Sequence, residues 1–396
     1  MNASASARAD GRPRAGRAVR WVIRPIGMLA CLVVAMSLAL WLVGRVVSDR
    51  VYEAQFLAWI PTWAVLLPAA AACGALPLAR AGRWRQNAQG QRTRTAGGRV
   101  WLGIAVLLYT GLASALLWAH LVEFRLLNAL SRGGGDAPRL RIVHWNMEAF
   151  STLNWRGDFA GVFPEPPPDV IFLTSFARQQ HIERALAQLG REYTLIHRGG
   201  FTVASVLPMR DAMVLSIPVP GTSGATPAMQ RRFARVRGIV EEWYNRLGER
   251  IGLERREFRR DENAGVLAVT IDARSVLGRE LRVRFIDVPS DPMASRWENA
   301  LAMAQGMRSA GLEPADIVLG DTNTPRGGAS LELLAPGMHH AYDDAGFGPM
   351  PTWPRASPLL HIDQVFLSPS LRALRYRVIM SPSSDHLIQY AEIGVR

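Results

Sequence analysis

Three uncharged apolar runs crowd the N-terminal part of the chain, Pro25 to Gly44, Phe56 to Ala79 and Val100 to Val122. Each reaches the roughly 20 residues that a helix needs to cross a hydrocarbon layer. A soluble protein would have to bury all three in one core, so three membrane spans are the simpler reading. Pro61 and Pro68 interrupt the second run. Membrane helices tolerate this better than soluble ones, because neighbouring groups re-satisfy the freed backbone.

The arginines orient these runs. Arg8, Arg12, Arg14, Arg17, Arg20 and Arg24 precede the first, and Arg80, Arg83, Arg85, Arg92, Arg94 and Arg99 separate the second from the third. Basic loops stay cytoplasmic. The N-terminus is therefore expected inside, and an odd number of spans delivers everything after about Phe124 to the extracytoplasmic side. A cleaved signal peptide is the competing reading of the first run. The long basic tail and the lack of a small-x-small cleavage site favour an uncleaved anchor.

The same placement explains the net charge of +13. Residues 1–99 hold 14 arginines against Asp10, Asp49 and Glu53, a balance of +11 that leaves +2 for the remaining 297 residues. The basicity is mostly a topology signal and weighs against a nucleic-acid surface, which needs a basic stripe on the binding domain. Cys31 and Cys73 both lie within apolar runs. The rest of the chain therefore has no disulfide and no thiolate zinc site.

These signals divide the chain into a membrane region over 1–130, a glycine-rich linker over 131–138 (SRGGGDAP) and an outer domain over 139–396. Short β-like runs recur in the domain: Leu140 to Trp145, Val170 to Thr174, Phe201 to Leu207, Ala212 to Ile217, Val266 to Ile271, Leu281 to Val288 and Asp316 to Leu319. Helical patterns at His181 to Leu189 and Arg296 to Arg308 alternate with them, which predicts a layered α/β domain. A basic helical insertion is expected at about 229–260, where residues 231–260 hold ten arginines and five glutamates. It reads either as an ordinary amphipathic helix packed on the domain, or as one resting on an anionic membrane surface or capping a site for a phosphorylated lipid.

Polar clusters fall at the ends of expected strands, where α/β folds build sites. They are His144-Trp145-Asn146, Gly320-Asp321-Thr322-Asn323, His361-Ile362-Asp363 and Ser384-Asp385-His386. Asn146 and Asp385 offer hard oxygen donors suited to magnesium or manganese. Asp321 could take a proton from an attacking water, and Asn323 could donate to a phosphoryl oxygen. His386 could stabilise or protonate a phosphoryl group if a carboxylate such as Asp363 holds its ring. Taken singly, each cluster reads as well as a turn or cap.

Their order is more specific. The succession VHWNM, PDVIFLTS, LGDTNTP, HIDQVFLS and SDHLI resembles the endonuclease/exonuclease/phosphatase family, which carries WN, PDxxxLQE, GDxN, xIDxxxxS and SDH in that order. The resemblance spans about 139–396. It implies a four-layered α/β sandwich of two mixed sheets between helices, and a metal-dependent phosphoric ester hydrolase. By motif, Asn146 and Asp385 fall on metal positions, Asp321 on the water-activating one with Asn323 beside it, and Asp363 with His386 on the pair that contacts phosphate.

Two departures limit the transfer. Ser175 stands where the family has its metal-binding glutamate, and Asp287 where many members have a histidine. Glu148, two residues beyond Asn146 on the same side of an extended chain, is one candidate replacement ligand, and Asp287 is a second. Three spans followed by an outer domain are similar to bacterial membrane members of the teicoplanin-resistance type. That points to a phosphodiester or pyrophosphate substrate near the envelope, such as a lipid-linked phosphate. An extracytoplasmic nuclease and a degenerate phospho-ligand-binding pseudoenzyme are the alternatives.

Overall fold

A computed structural model describes residues 15–80, 84–86, 92–94, 96–130, 138–147, 159, 161–174, 179–220, 242, 246 and 263–396. Residues 131–137 of the expected linker, Glu148, Ser175 and nearly all of the basic insertion at 229–260 lie outside them. The chain forms two compact units. One comprises Met1–Leu42 with Thr62–Ala119, the other Val43–Pro61 with His120–Arg396.

In the first unit, α1 (Ala15–Val46, as far as Leu42) and α4 (Ala96–Trp118) are long helices, with α3 (Thr62–Cys73) between them in sequence. Mainly small or aliphatic side chains face inward: Ala30, Val34, Leu66, Ala69, Leu108, Leu112 and Ala115. Gly111 lets Leu38 approach, since a Cβ there would lie 3.2 Å from its Cδ1. Larger residues such as Leu29, Leu32, Met36, Leu107 and Leu117 face outward. Alanine and glycine at the helix contacts, with large apolar side chains left exposed on the outer faces, suit helices packed in lipid.

Pro25–Val46 and Val100–Glu123 are long and apolar enough to cross a membrane. A third span exists only if α2 (Tyr52–Trp59) and α3 count as one broken helix. The second apolar run is thus two helices, where one was expected. Pro61 has no N–H to donate and forces the residue before it out of helical conformation. Ile60 is accordingly extended, at φ −68° and ψ 121°.

The second unit holds two six-stranded mixed sheets. The strands are β1 (Leu140–Asn146), β2 (Val170–Thr174), β3 (Thr194–Arg198), β4 (Phe201–Ser205), β5 (Met209–Pro218), β6 (Asn263–Ala273), β7 (Arg279–Asp287), β8 (Ile317–Asp321), β9 (His339–His340), β10 (Asp363–Leu367), β11 (Leu371–Ile379) and β12 (Ile388–Val395). The first sheet runs β11-β12-β1-β2-β4-β3, the second β9-β10-β8-β7-β6-β5. Each contains one parallel pair, β1 with β2 and β7 with β8, and is otherwise antiparallel.

The main core joins both sheets. Phe285 of β7 meets Phe172 of β2 and Phe201 of β4 at ring distances of 5.6 and 4.8 Å. A separate core on the first sheet packs α5 (Gln179–Ala187) through Ile182, Ala185 and Leu186 against Val143, Trp145 and Ile171. A third, on the second sheet, packs α6 (Arg296–Ser309) and α7 (Leu331–Leu334) through Met303, Met307 and Leu334 against Val266, Ile286 and Val318. Ser295 caps α6, its hydroxyl accepting from the Glu298 N–H. Period-2 alternation sends one face of the central strands into the shared core and the other towards a helix.

Residues on both sides of the apolar helices also belong to this unit. Glu123, Phe124 and Asn128 bond to the 342–348 region, with Asn128 Nδ2 donating to the Gly346 carbonyl at 2.9 Å and the Gly348 N–H to the Phe124 carbonyl at 2.6 Å.

Candidate functional site

The parallel pairs carry their polar residues at the same strand ends. Asn146 closes β1 in register with Thr174 of β2, and Asp321 closes β8 in register with Asp287 of β7. Asp363 opens β10 opposite Asp321, and Asp385-His386 leads into β12. The ends of the two sheets meet where Asn146 Nδ2 donates to Asp321 Oδ2 at 2.9 Å.

Local sequence fixes each approach. Gly320 has φ +138°, and a Cβ there would lie 1.9 Å from the Ile286 carbonyl oxygen, so only glycine lets β8 run against β7 at this point. Asn323 takes a left-handed conformation at φ +47°, which asparagine tolerates. This turn lets its N–H donate to Asp321 Oδ1 at 2.8 Å, while its Nδ2 donates to the Val288 carbonyl at 2.7 Å. The Ser384 hydroxyl donates to the Asn146 carbonyl at 2.5 Å and accepts from the His386 N–H at 3.0 Å, tying β1 to the turn before β12.

His386 Nδ1 lies 2.9 Å from Asp363 Oδ2, and its Nε2 lies 3.7 Å from Asp321 Oδ2. All three residues are buried. Burial alone would keep the His386 ring neutral, but Asp363, Asp385 and Asp321 outweigh it and raise its pKa to about 10. Asp363 shows the converse. Burial pushes its carboxyl up, yet the His386 charge and hydrogen bond hold it below the usual carboxylate range. Burial raises Asp321, and the nearby Asp363 charge raises it further. The arrangement is one imidazolium–carboxylate pair beside a carboxylate of enhanced basicity.

Behind this pair lies a polar network that the motifs did not reveal. Gln389 of β12 holds His144 Nδ1 at 2.9 Å, the Asp363 carbonyl at 2.9 Å and the Tyr376 hydroxyl at 2.6 Å. Thr352 Oγ1 accepts from the Asp363 N–H at 3.2 Å. Burial lowers the pKa of His144, and takes that of His361 down to about 3, so both rings are neutral supports. The sequence carried no readable signal for this network, because the strand that bears Gln389 lacks the apolar alternation by which strands are recognised.

Of the residues singled out in the sequence, Asn146, Asp321, Asn323, Asp363 and His386 come together here. Asp385 is half-buried, its Oδ2 accepting from Trp353 Nε1 at 3.1 Å. Asp287 stands beside Asp321 by register.

Ligand atoms of Asp321, Asp363 and His386 all lie within 4.8 Å of one another, a spacing compatible with an ion. An imidazolium has no lone pair to give, so His386 is better read as a proton carrier than as a ligand. Asn146, Asp321 and Asp385 supply hard oxygen atoms. The buried carboxylates Asp321 and Asp363 with Asp385 outnumber the one imidazolium in this cluster. A magnesium- or manganese-type cation fits that donor set and that charge.

A family model described as endonuclease/exonuclease/phosphatase family matches residues 139–386. Among solved structures, the chain is similar to an endonuclease/exonuclease/phosphatase family protein from Bacteroides thetaiotaomicron, at 14% identity and TM-score 0.43 over 64% of this chain and 97% of that one. A mannosyl-6-phosphatase from the same organism gives 14%, 0.43, 64% and 99%. The human Nocturnin catalytic domain with bound sulfate gives 15%, 0.41, 65% and 94%. No curated protein matches the chain.

Proposed function

Because the chain belongs to the endonuclease/exonuclease/phosphatase family, whose members are metal-dependent phosphoesterases and nucleases, we propose that it is a membrane-anchored phosphoesterase. Its four-layered domain acts on the extracytoplasmic side and cleaves a phosphodiester or pyrophosphate, with a lipid-linked phosphate as the favoured class. The observation that carries this reading is the bond from Asn146 to Asp321 between the two sheets, with the Asp363–His386 pair 3.7 Å away.

Asp321 accepts the proton of the attacking water, its carboxylate oriented by the Asn146 amide and the Asn323 N–H. The His386 imidazolium, kept charged by Asp363, neutralises a phosphoryl oxygen or protonates the departing one. One Nδ2 proton of Asn323 is committed to Val288, and the other is available for a phosphoryl oxygen. A magnesium or manganese ion, held by Asn146 and Asp385 with Glu148 as a further candidate, supplies Lewis-acid polarisation of the phosphoryl group when bound.

Ser175, at the family's glutamate position, favours a second reading, in which the same site binds a phosphorylated ligand without cleaving it. Hydrolysis of bis-p-nitrophenyl phosphate by the full chain in detergent, with magnesium or manganese, separates the two. Turnover that needs metal and disappears in Asp321→Ala supports the hydrolase. No turnover by the folded chain supports the binding protein.

A further inference from the structure

The stretch Ser48–Trp59 lies between the first apolar run and the body of the second, yet it belongs to the same compact unit as the two sheets. Three of its polar side chains, Ser48, Asp49 and Gln55, are buried. Asp49 is 1% exposed and Gln55 is fully buried, and such groups require partners.

The partners lie on two loops. Asp49 Oδ1 accepts from the Ser330 N–H at 3.1 Å, its Oδ2 accepts from the Ser330 hydroxyl, and Ser48 Oγ accepts from the Ala329 N–H at 3.2 Å. Gln55 Oε1 accepts from the Arg296 N–H and its Nε2 donates to the Ala294 carbonyl, both at 3.2 Å. The buried Arg296 guanidinium lies 5.3 Å from the Trp59 ring centre, and its Nη1 donates to the Pro289 carbonyl at 2.8 Å.

Residues 322–330 follow β8 and residues 288–295 follow β7. The two loops meet beside Asp321, where Asn323 Nδ2 reaches the Val288 carbonyl. Their far ends are both held by Ser48–Trp59. The packing at Gly328 is close, with a Cβ there lying 2.5 Å from Thr324 Cγ2 and 3.2 Å from Asp49 Oδ2.

We propose that Ser48–Trp59 is a clip that positions the loop bearing Asp321 and Asn323, with Asp49 as a positioning residue. Asp49 touches no reacting atom. It offers two carboxylate oxygens to two donors of Ser330, and so fixes the end of a loop whose beginning holds the water-activating carboxylate. The catalytic part of this inference rests on the phosphoesterase reading.

The test uses the full chain in detergent as wild type, Asp49→Ala, Asp49→Asn and Ser330→Ala. Hydrogen–deuterium exchange is followed over 288–296 and 322–330, together with kcat and KM for bis-p-nitrophenyl phosphate. The expected result for Asp49→Ala is faster exchange confined to these loops and a kcat lower by roughly 10- to 100-fold. KM changes little. Asp49→Asn, which keeps one acceptor oxygen, recovers part of both.

Unchanged exchange in folded Asp49→Ala overturns the clip. Loosened loops with wild-type kcat overturn the positioning role. A wild type with no turnover defeats the phosphoesterase reading instead, and exchange alone then decides whether the clip exists. If Asp49→Ala does not fold, Ser330→Ala decides, since it removes one of the two bonds, and unchanged exchange there refutes the proposal.

Discussion

Asp363→Asn keeps the side-chain shape and removes the charge that holds His386 as an imidazolium. In the metal-free protein His386 has its pKa raised from 6.5 to about 10, because Asp363, Asp385 and Asp321 outweigh the effect of burial. A group raised in the folded state contributes its full stability below its unfolded pKa, and loses that contribution as pH climbs towards the folded value. Asp363 itself is shifted down, so its own contribution is intact at pH 6 and fails only in acid.

Without the Asp363 charge the His386 shift shrinks. The variant should therefore be less stable than wild type at pH 6, with a gap that narrows towards pH 9. Each pH unit across a shifted group is worth about 1.4 kcal/mol, so the interval between about pH 6.5 and 9 sets an upper bound of roughly 3 kcal/mol on the change in the gap, because Asp385 and Asp321 still raise His386 in the variant. For a domain of this size the gap between melting temperatures changes by at most roughly 6–12 °C. The assay is thermal unfolding of the full chain in detergent and EDTA, followed by near-ultraviolet circular dichroism at the two pH values. A gap that stays constant or widens with pH would refute the charged-pair account.

Asp321→Asn should abolish the proposed proton transfer, lowering kcat by roughly 10²- to 10⁴-fold. It should also raise the melting temperature above pH 7, because burial and Asp363 make the Asp321 charge a cost to folding. Gly320→Ala, with a Cβ 1.9 Å from the Ile286 oxygen at φ +138°, should destabilise by more than about 3 kcal/mol in urea unfolding. Phe285→Ala, which removes the ring shared by Phe172, Phe201 and His144, should cost about 3–5 kcal/mol in the same experiment. EDTA should stop turnover, and added magnesium or manganese should restore it, with the rate read from released nitrophenol.

The sequence was legible where local pattern and structure obey one cause. Val170–Thr174 and Ile317–Asp321 are short apolar runs that end in polar turns, and they form central strands with the polar residue at the tip. β11 and β12 were not anticipated. β11 is broken by a bulge between Ala373 and Arg375, and β12 carries Gln389 and Glu392 within a buried strand. In β12 the hydrogen bonds of Gln389 to His144 and Tyr376 override the apolar alternation by which strands are recognised.

Asp49 and Gln55 left no readable trace for a different reason. Their partners are about 240 to 280 positions away, and a polar residue between two apolar runs or at the edge of one looks solvated until its tertiary neighbour is known. The second apolar run is divided into two helices at Pro61, an interruption visible in the sequence, and the pair still counts as a third span if it is one broken helix.

The arrangement of the first sheet sets the order in which the domain can be completed. β1 is flanked by β2 on one side and by β12 on the other, so β11 stays separated from the four-stranded block β1-β2-β4-β3 until residues 388–395 have emerged. Pairings this distant in sequence form late, because the intervening chain must first be closed into a loop. His386 arrives with that same final strand. A chain whose synthesis stops before Asp385 lacks both the strand that seals β1 and the imidazole that faces Asp321. The cluster of Asp321, Asp363 and His386 is therefore assembled only after residues 385–395 have been added.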